Sequence, residues 1–237
     1  MDPDLVIGGV CSALIVVVLA GAVPYFRRFP SHARLPREPK PPRDRIDAAP
    51  RLTIAHATPG VAARIVGRVT ALADGPLLQA PLTGRPCIAW QVLVLSGSQQ
   101  PTDDSTYEPE INWGVEHTNE SGGAIELRDD SGMATVQLAG ALWALPAESA
   151  QLKFELDLTA ATRAYLERIQ MTWSGYMKPL LRLDERILEA DARVLLFAAN
   201  RAPPASAPTG GYRDAPAAAL FATSVECPLV ILPAPAE

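Results

Sequence analysis

Metal-ligating and redox side chains are scarce in this chain. Its 237 residues include three cysteines (Cys11, Cys87, Cys227) and three scattered histidines (His32, His56, His117), and no CxxC pair. These residues assemble no zinc site at a usual ligand spacing, and no metal or cofactor is expected. GxSxG, GxxxxGKS/T and HExxH are all absent, which removes the nucleophile elbow, the phosphate-binding loop and the zinc-protease helix. Aromatics make up only 6% of residues. Trp90, Trp113, Trp143 and Trp173 are expected as core or strand-face residues rather than a ligand cage. Positive charge is sparse outside one stretch. Residues 27 to 45 carry seven basic side chains (Arg27, Arg28, Arg34, Arg37, Lys40, Arg43, Arg45) against Glu38 and Asp44, a balance of +5. The chain as a whole is −5, so the remainder is −10. An acidic remainder repels phosphate backbones and argues against nucleic acid as a partner.

One long apolar run is present. No charge occurs between Asp4 and Arg27, and Leu5 to Phe26 is apolar all round. At about 1.5 Å per residue this run reaches roughly 33 Å, enough for the hydrocarbon core of a bilayer. A cleaved signal peptide is the rival reading. Its positive charges would precede the apolar run, whereas here the start is Met-Asp-Pro-Asp and the arginines follow. Residues 1–26 are therefore expected to be a transmembrane anchor. The basic flank places the N-terminus outside and the remainder in the cytoplasm, at an inner, plasma membrane. Residues 27–50 hold prolines at 30, 36, 39, 41, 42 and 50 and are expected to be an extended basic spacer. A cytoplasmic location favours free thiols at Cys87 and Cys227, although a pair would form if the fold brought them together.

Residues 51–237 are expected to form one mainly β (α+β) domain, a small barrel or sandwich with one or two helices. Strands are predicted at Arg64–Thr70, Ile88–Leu95 (buried on both faces), Gln151–Leu158 (alternating) and Ala192–Ala199. Ile125–Arg128 and Met133–Leu138 form a hairpin about the turn Asp129-Asp130-Ser131-Gly132. That turn is read as hairpin chemistry rather than a cation loop. Ala160–Met171 is a predicted helix with Ala161, Ala164, Tyr165 and Ile169 on its buried face. Ser96–Glu110 and Arg201–Ala217 are predicted loops, and Ala218–Leu232 a closing strand. Cys87 is a candidate nucleophile beside His56 or His117. Its place before an apolar strand favours a buried structural thiol instead.

One constellation resembles a known family. It comprises Gly67-Arg-Val69, the segment Ala80-Pro-Leu-Thr-Gly-Arg-Pro-Cys-Ile-Ala-Trp90, the turn Asp129-Asp-Ser-Gly132, and Glu185-Arg-Ile-Leu188 running on to Val194. The pattern is similar to the GIDE, or "beside a membrane", domain of membrane-anchored RING ubiquitin ligases, over about residues 60 to 200. The resemblance implies a membrane-proximal β domain in which Gly67, Pro81, Gly84, Pro86, Cys87, Trp90, Asp129, Gly132 and Glu185 are structural. A glycine of the pattern near position 190 is Ala190 or Asp191 here. The family's second membrane helix and cysteine-rich RING finger have no counterpart, so ligase activity is not carried over. Domains of this type without RING fingers occur in prokaryotic membrane proteins, and the Ala-, Arg- and Pro-rich composition suits a GC-rich bacterium. The function expected is a non-catalytic binding, sensing or scaffold module against the lipid bilayer, acting on a protein partner or on itself. An enzyme with an unrecognised site is the alternative.

Overall fold

The structure is a computed structural model that describes residues 37–72, 76–99, 111–152, 158–171, 180–201 and 219–235. Two sheets dominate. Alternating burial builds the larger from β1 (Ala62–Ala71), β6 (Ala124–Asp129), β7 (Gly132–Gln137), β8 (Leu142–Trp143), β11 (Arg193–Ala199), β12 (Ala219–Phe221) and β13 (Val230–Pro233), in the order β12-β7-β6-β1-β11-β13-β8. The smaller has β4 (Ala89–Gln99), β5 (Ile111–Ser121), β9 (Glu148–Leu152) and β10 (Leu180–Leu188), in the order β5-β4-β10-β9. A separate ribbon pairs β2 (Leu78–Gln79) with β3 (Pro86–Cys87). Pairing is antiparallel except β12 with β7 and β13 with β8.

The described fold is mainly β, as expected, but the sheets stay open and no closed barrel forms. Three apolar clusters hold it together. The largest lies under the seven-stranded sheet and includes Ile65, Leu127, Val136, Leu196 and Ile231. It also takes in Ile88 just before β4, Ala89 at its start and Leu188 at the end of β10, which is where the smaller sheet joins it. The smaller sheet has its own core with Cys87, Trp90, Val92, Leu181 and Leu183. The third gathers Ile46, Ala49, Phe197, Cys227, Val230 and Leu232 on the opposite face of the larger sheet.

That third cluster corrects the expected spacer. Residues Arg43–Ala48 form helix α1, begun by Pro42 and with Asp44 in the first turn. It ends because Ala49 precedes Pro50 and takes an extended conformation. Ile46 is 3% exposed. The basic stretch lacks apolar residues on average, but one well-placed isoleucine suffices to dock it. Residues 43–49 thus pack with the β domain, although the sequence starts that domain at residue 51.

Other expectations shift in detail. The Asp129–Gly132 hairpin stands as read, and Ala89–Leu95 is buried throughout. β4 runs on to Gln99, so the loop expected from Ser96 starts later, and β5 emerges from a polar stretch with no clean alternation. Gln151 and Leu152 end β9, and the rest of the predicted Gln151–Leu158 strand lies mostly outside the described residues. Helix α2 (Ala160–Arg168) is capped by Thr159, whose side chain accepts from the Thr162 amide. It buries Thr162, Tyr165 and Leu166, while Ala161 and Ala164 are exposed. Burying Leu166 removes more apolar area than burying two alanines, and this rotates the helix. The single closing strand is two: β12 and β13 lie on different sides of the larger sheet, separated by a turn through Cys227. Among the described residues no helix is long and apolar enough to cross a membrane, and the anchor expected at Leu5–Phe26 lies outside them.

Candidate functional site

The densest polar arrangement centres on β10. Its sequence, Leu180-Leu-Arg-Leu-Asp-Glu-Arg-Ile-Leu188, places Asp184, Glu185 and Arg186 side by side at 3%, 2% and 8% exposure. Strand alternation sends Glu185 to one face and its neighbours to the other. A buried carboxylate is costly unless its oxygens find donors. Glu185 finds three. One oxygen accepts from the Leu82 amide at 2.7 Å; the other accepts from the Thr83 amide at 3.0 Å and the Thr83 hydroxyl at 2.6 Å. The strand thereby clasps the turn between β2 and β3. Gly84 closes that turn in the left-handed region (φ +70°), its amide donating to the Ala80 carbonyl at 2.9 Å. Arg85, next along, pairs with Glu148 and Glu189.

Cys87 leaves this turn fully buried beside Trp90. Burial pushes its thiol pKa up, and the Glu185 and Glu189 charges add to the shift against the opposing Arg85. Its hydrogen bond goes to the Leu78 carbonyl at 3.8 Å. A cysteine nucleophile requires the opposite: access and a depressed pKa. His56 is exposed and bonds the Thr53 hydroxyl at 2.8 Å, and His117 lies on β5 opposite Val94. The Cys87–histidine pair considered from sequence does not form. Cys227, in the third cluster, is also free, and its thiol pKa is raised by burial against the opposing charge of Arg45.

The other face of β10 carries a second network. Asp184 accepts from the Ser149 hydroxyl at 2.7 Å and from Arg182 at 2.9 Å. Arg186 donates to the Gln91 side chain at 3.1 Å and pairs with Glu38 at 2.6 Å. The Arg182 guanidinium lies 5.0 Å above the Trp113 ring. Of these three charges the sequence pattern marks Glu185 and neither Asp184 nor Arg186. The signal was there: three adjacent charges inside a strand flanked by leucines cannot all face water.

The remaining motif residues belong to the larger sheet. A Cβ at Gly67 would stand 2.7 Å from the Arg128 carbonyl, so β1 and β6 approach there only because position 67 is glycine. Asp129 accepts from the Ile54 amide at 2.7 Å, the Ser131 amide and hydroxyl at 2.7 and 2.6 Å, and the Gly132 amide at 3.0 Å. Burial raises its pKa, but these bonds outweigh burial and leave it lowered. The motif residues thus form two groups. Pro81, Gly84 and Pro86 lie in or next to the turn that Glu185 clasps, with Cys87 and Trp90 in the core that follows it, while Gly67, Asp129 and Gly132 sit in the larger sheet. Asp191, in the turn between β10 and β11, has φ +61°. It is one of the two positions, with Ala190, that stand where the sequence pattern has glycine.

A cavity of about 150 Å³ lies beside Glu120, Ser121, Gly123, Leu138, Ala139 and Trp143, away from the Glu185 turn. Among the described residues no three His, Cys, Asp or Glu side chains are grouped to hold a metal ion. The chain matches no protein-family model, no curated protein and no solved structure.

Proposed function

We propose that this chain is a membrane-tethered, non-catalytic binding or scaffold module whose β domain is of the GIDE type, presented at the cytoplasmic face of a bilayer by the Leu5–Phe26 segment. One observation carries the reading: the quoted motif residues have mechanical jobs. Glu185 clasps the Leu82–Thr83 turn, Gly67 permits a close strand approach, and Asp129 ties its hairpin to the Ile54 backbone. A left-handed residue at position 191 supports the reading further, since glycine is the residue best suited to that conformation. The most reactive side chain of the set, the Cys87 thiol, is sealed in a core with its pKa raised.

The test is in-membrane cross-linking of the full chain, with photoreactive residues placed one at a time on exposed β-sheet positions. The expected result is a small set of positions giving one reproducible adduct, with a protein partner or with a second copy of the chain. Membranes that yield only uncross-linked monomer at every position would overturn the proposal. Recovery of the chain in the soluble fraction would separately remove the tether.

A further inference from the structure

The 150 Å³ cavity lies where the two sheets meet. Glu120 and Ser121, at the end of β5, form one side of it; Gly123, Leu138, Ala139 and Trp143, from the larger sheet and its connections, form the other. Backbone bonds hold this wall in place. The Leu138 amide donates to the Gly123 carbonyl at 2.9 Å, and Trp143 stands in register with Ile231. Beside Ala139, the Gly140 carbonyl accepts from the Thr223 hydroxyl at 3.0 Å. A Cβ at Gly122 would stand 2.4 Å from that of Ala89, so the link from β5 to β6 is packed tight against β4. The cavity is therefore preformed, as small-molecule sites usually are.

Two polar groups of its wall have unmet demands. Trp143 is 4% exposed, and its indole N–H is buried without an acceptor. Buried polar groups are nearly all hydrogen-bonded, so an orphan calls for a partner. An indole nitrogen only donates, so that partner must be an acceptor. Glu120 has the opposite demand. One of its oxygens accepts from the Gly140 amide at 3.4 Å, near the long limit of a hydrogen bond. In register, Glu120 stands opposite Gln91, and Gln91 opposite Arg186, so all three share a sheet face. Arg186 is two strands away, about 10 Å, and it is already committed to Gln91 and Glu38. Among the described residues no cation pairs with Glu120.

We infer that this cavity binds a small organic cation that carries an oxygen, of the amino-alcohol class. Glu120 takes the ammonium in a charge-assisted hydrogen bond. The ligand oxygen accepts from the Trp143 N–H, and Ser121 adds a hydroxyl able to donate or accept. Leu138 and Ala139 supply the apolar wall for a short carbon chain. Size agrees with this class. A volume of about 150 Å³ equals about five water molecules at roughly 30 Å³ each, which suits a molecule of a few heavy atoms and excludes a nucleotide. Charge agrees as well. Glu120 is the only charged residue of the wall, so a carboxylate or phosphate would meet like charge there. Ala139 is exposed and Glu120 half-buried, which gives the cavity a mouth.

The inference needs neither the tether nor a protein partner, and its test is read without a bilayer. The full chain, isotope-labelled at its tryptophan nitrogens and held in a neutral sugar detergent, is titrated with ethanolamine and followed by nuclear magnetic resonance. The Trp143 indole N–H signal is assigned by its loss in Trp143→Phe, or by single replacement of the other tryptophans if that variant fails to fold. It is expected to move downfield and saturate while the other indole signals stay. Ethylene glycol, which lacks the charge, should bind several-fold more weakly. Ethylamine, which lacks the oxygen, should also bind more weakly and leave the indole signal unmoved. Glu120→Gln should weaken ethanolamine roughly tenfold. An indole signal indifferent to ethanolamine overturns the inference, because water then serves the N–H. Equal binding of ethylene glycol, or undiminished binding by Glu120→Gln, overturns it too. A last comparison distinguishes the two sources of this chemistry. A shift in phosphatidylethanolamine nanodiscs relative to phosphatidylcholine ones, with no added amine, assigns the ligand to a lipid headgroup. A shift only with dissolved ethanolamine assigns it to a free amine.

Discussion

At the residue scale, the defining feature is a buried carboxylate that serves a turn. Glu185 offers its oxygens to three donors on Leu82 and Thr83. Glu185→Gln keeps the shape but replaces one acceptor oxygen with a donor that faces another donor. It should cost about 2–4 kcal/mol, read as a lower urea midpoint, with Glu185→Ala costing at least as much. Asp191 presents the converse case. A non-glycine residue held at φ +61° is strained, and Asp191→Gly should raise stability by about 0.5–1 kcal/mol, visible as a higher melting temperature. Its backbone bonds, from Arg68 to its carbonyl and from its amide to Val69, survive the change. Asp129 governs the acid limb. Its folded pKa is lowered, so its stabilisation is fully present above the unfolded value of about 3.9 and is lost as pH falls through the lower folded value. Melting curves of the parent and Asp129→Asn should therefore differ most above about pH 5 and converge in strong acid.

At the scale of elements, the informative piece is α1. Six residues are too few for a helix to persist alone, so its existence reports tertiary docking. Ile46→Ala should cost about 2–4 kcal/mol in global stability, as for a buried core isoleucine. Proteolysis between residues 37 and 50 should become faster at the same time, because the helix loses its only fully buried side chain. Little of this was legible in sequence, where the proline-rich, charged composition dominates the single apolar position. β5 escaped notice for a related reason. Its residues Ile111 to Ser121 are mostly half-buried, so they carry no strong alternation. The Asp129–Gly132 hairpin was legible because turn chemistry and period-two alternation are local.

At the scale of the whole molecule, two open sheets share a short turn between β10 and β11 and a seam of Ile88, Ala89 and Leu188. Those shared core residues should make the unit unfold as one. The two buried thiols report on separate clusters, Cys87 under the smaller sheet and Cys227 beside α1. Both should resist alkylation in buffer and react together across a single urea transition. Two separate midpoints would show that the sheets open independently. The charge layout belongs to this scale too: strand register sets Arg68, Arg128 and Arg193 side by side on one face of the larger sheet.

What the residue order determined unaided were features with a short physical range. The apolar span Leu5–Phe26, the basic flank, the mainly β character and the Asp129 turn each follow from composition or neighbouring residues. Only the tertiary structure decided that Glu185 meets Thr83 across 102 positions, that three arginines from β1, β6 and β11 fall in one row, and that Cys87 is sealed in a core while His56 bonds Thr53 and His117 sits opposite Val94. Register between distant strands selects those neighbours, and it is set by how whole faces pack, which no local pattern encodes.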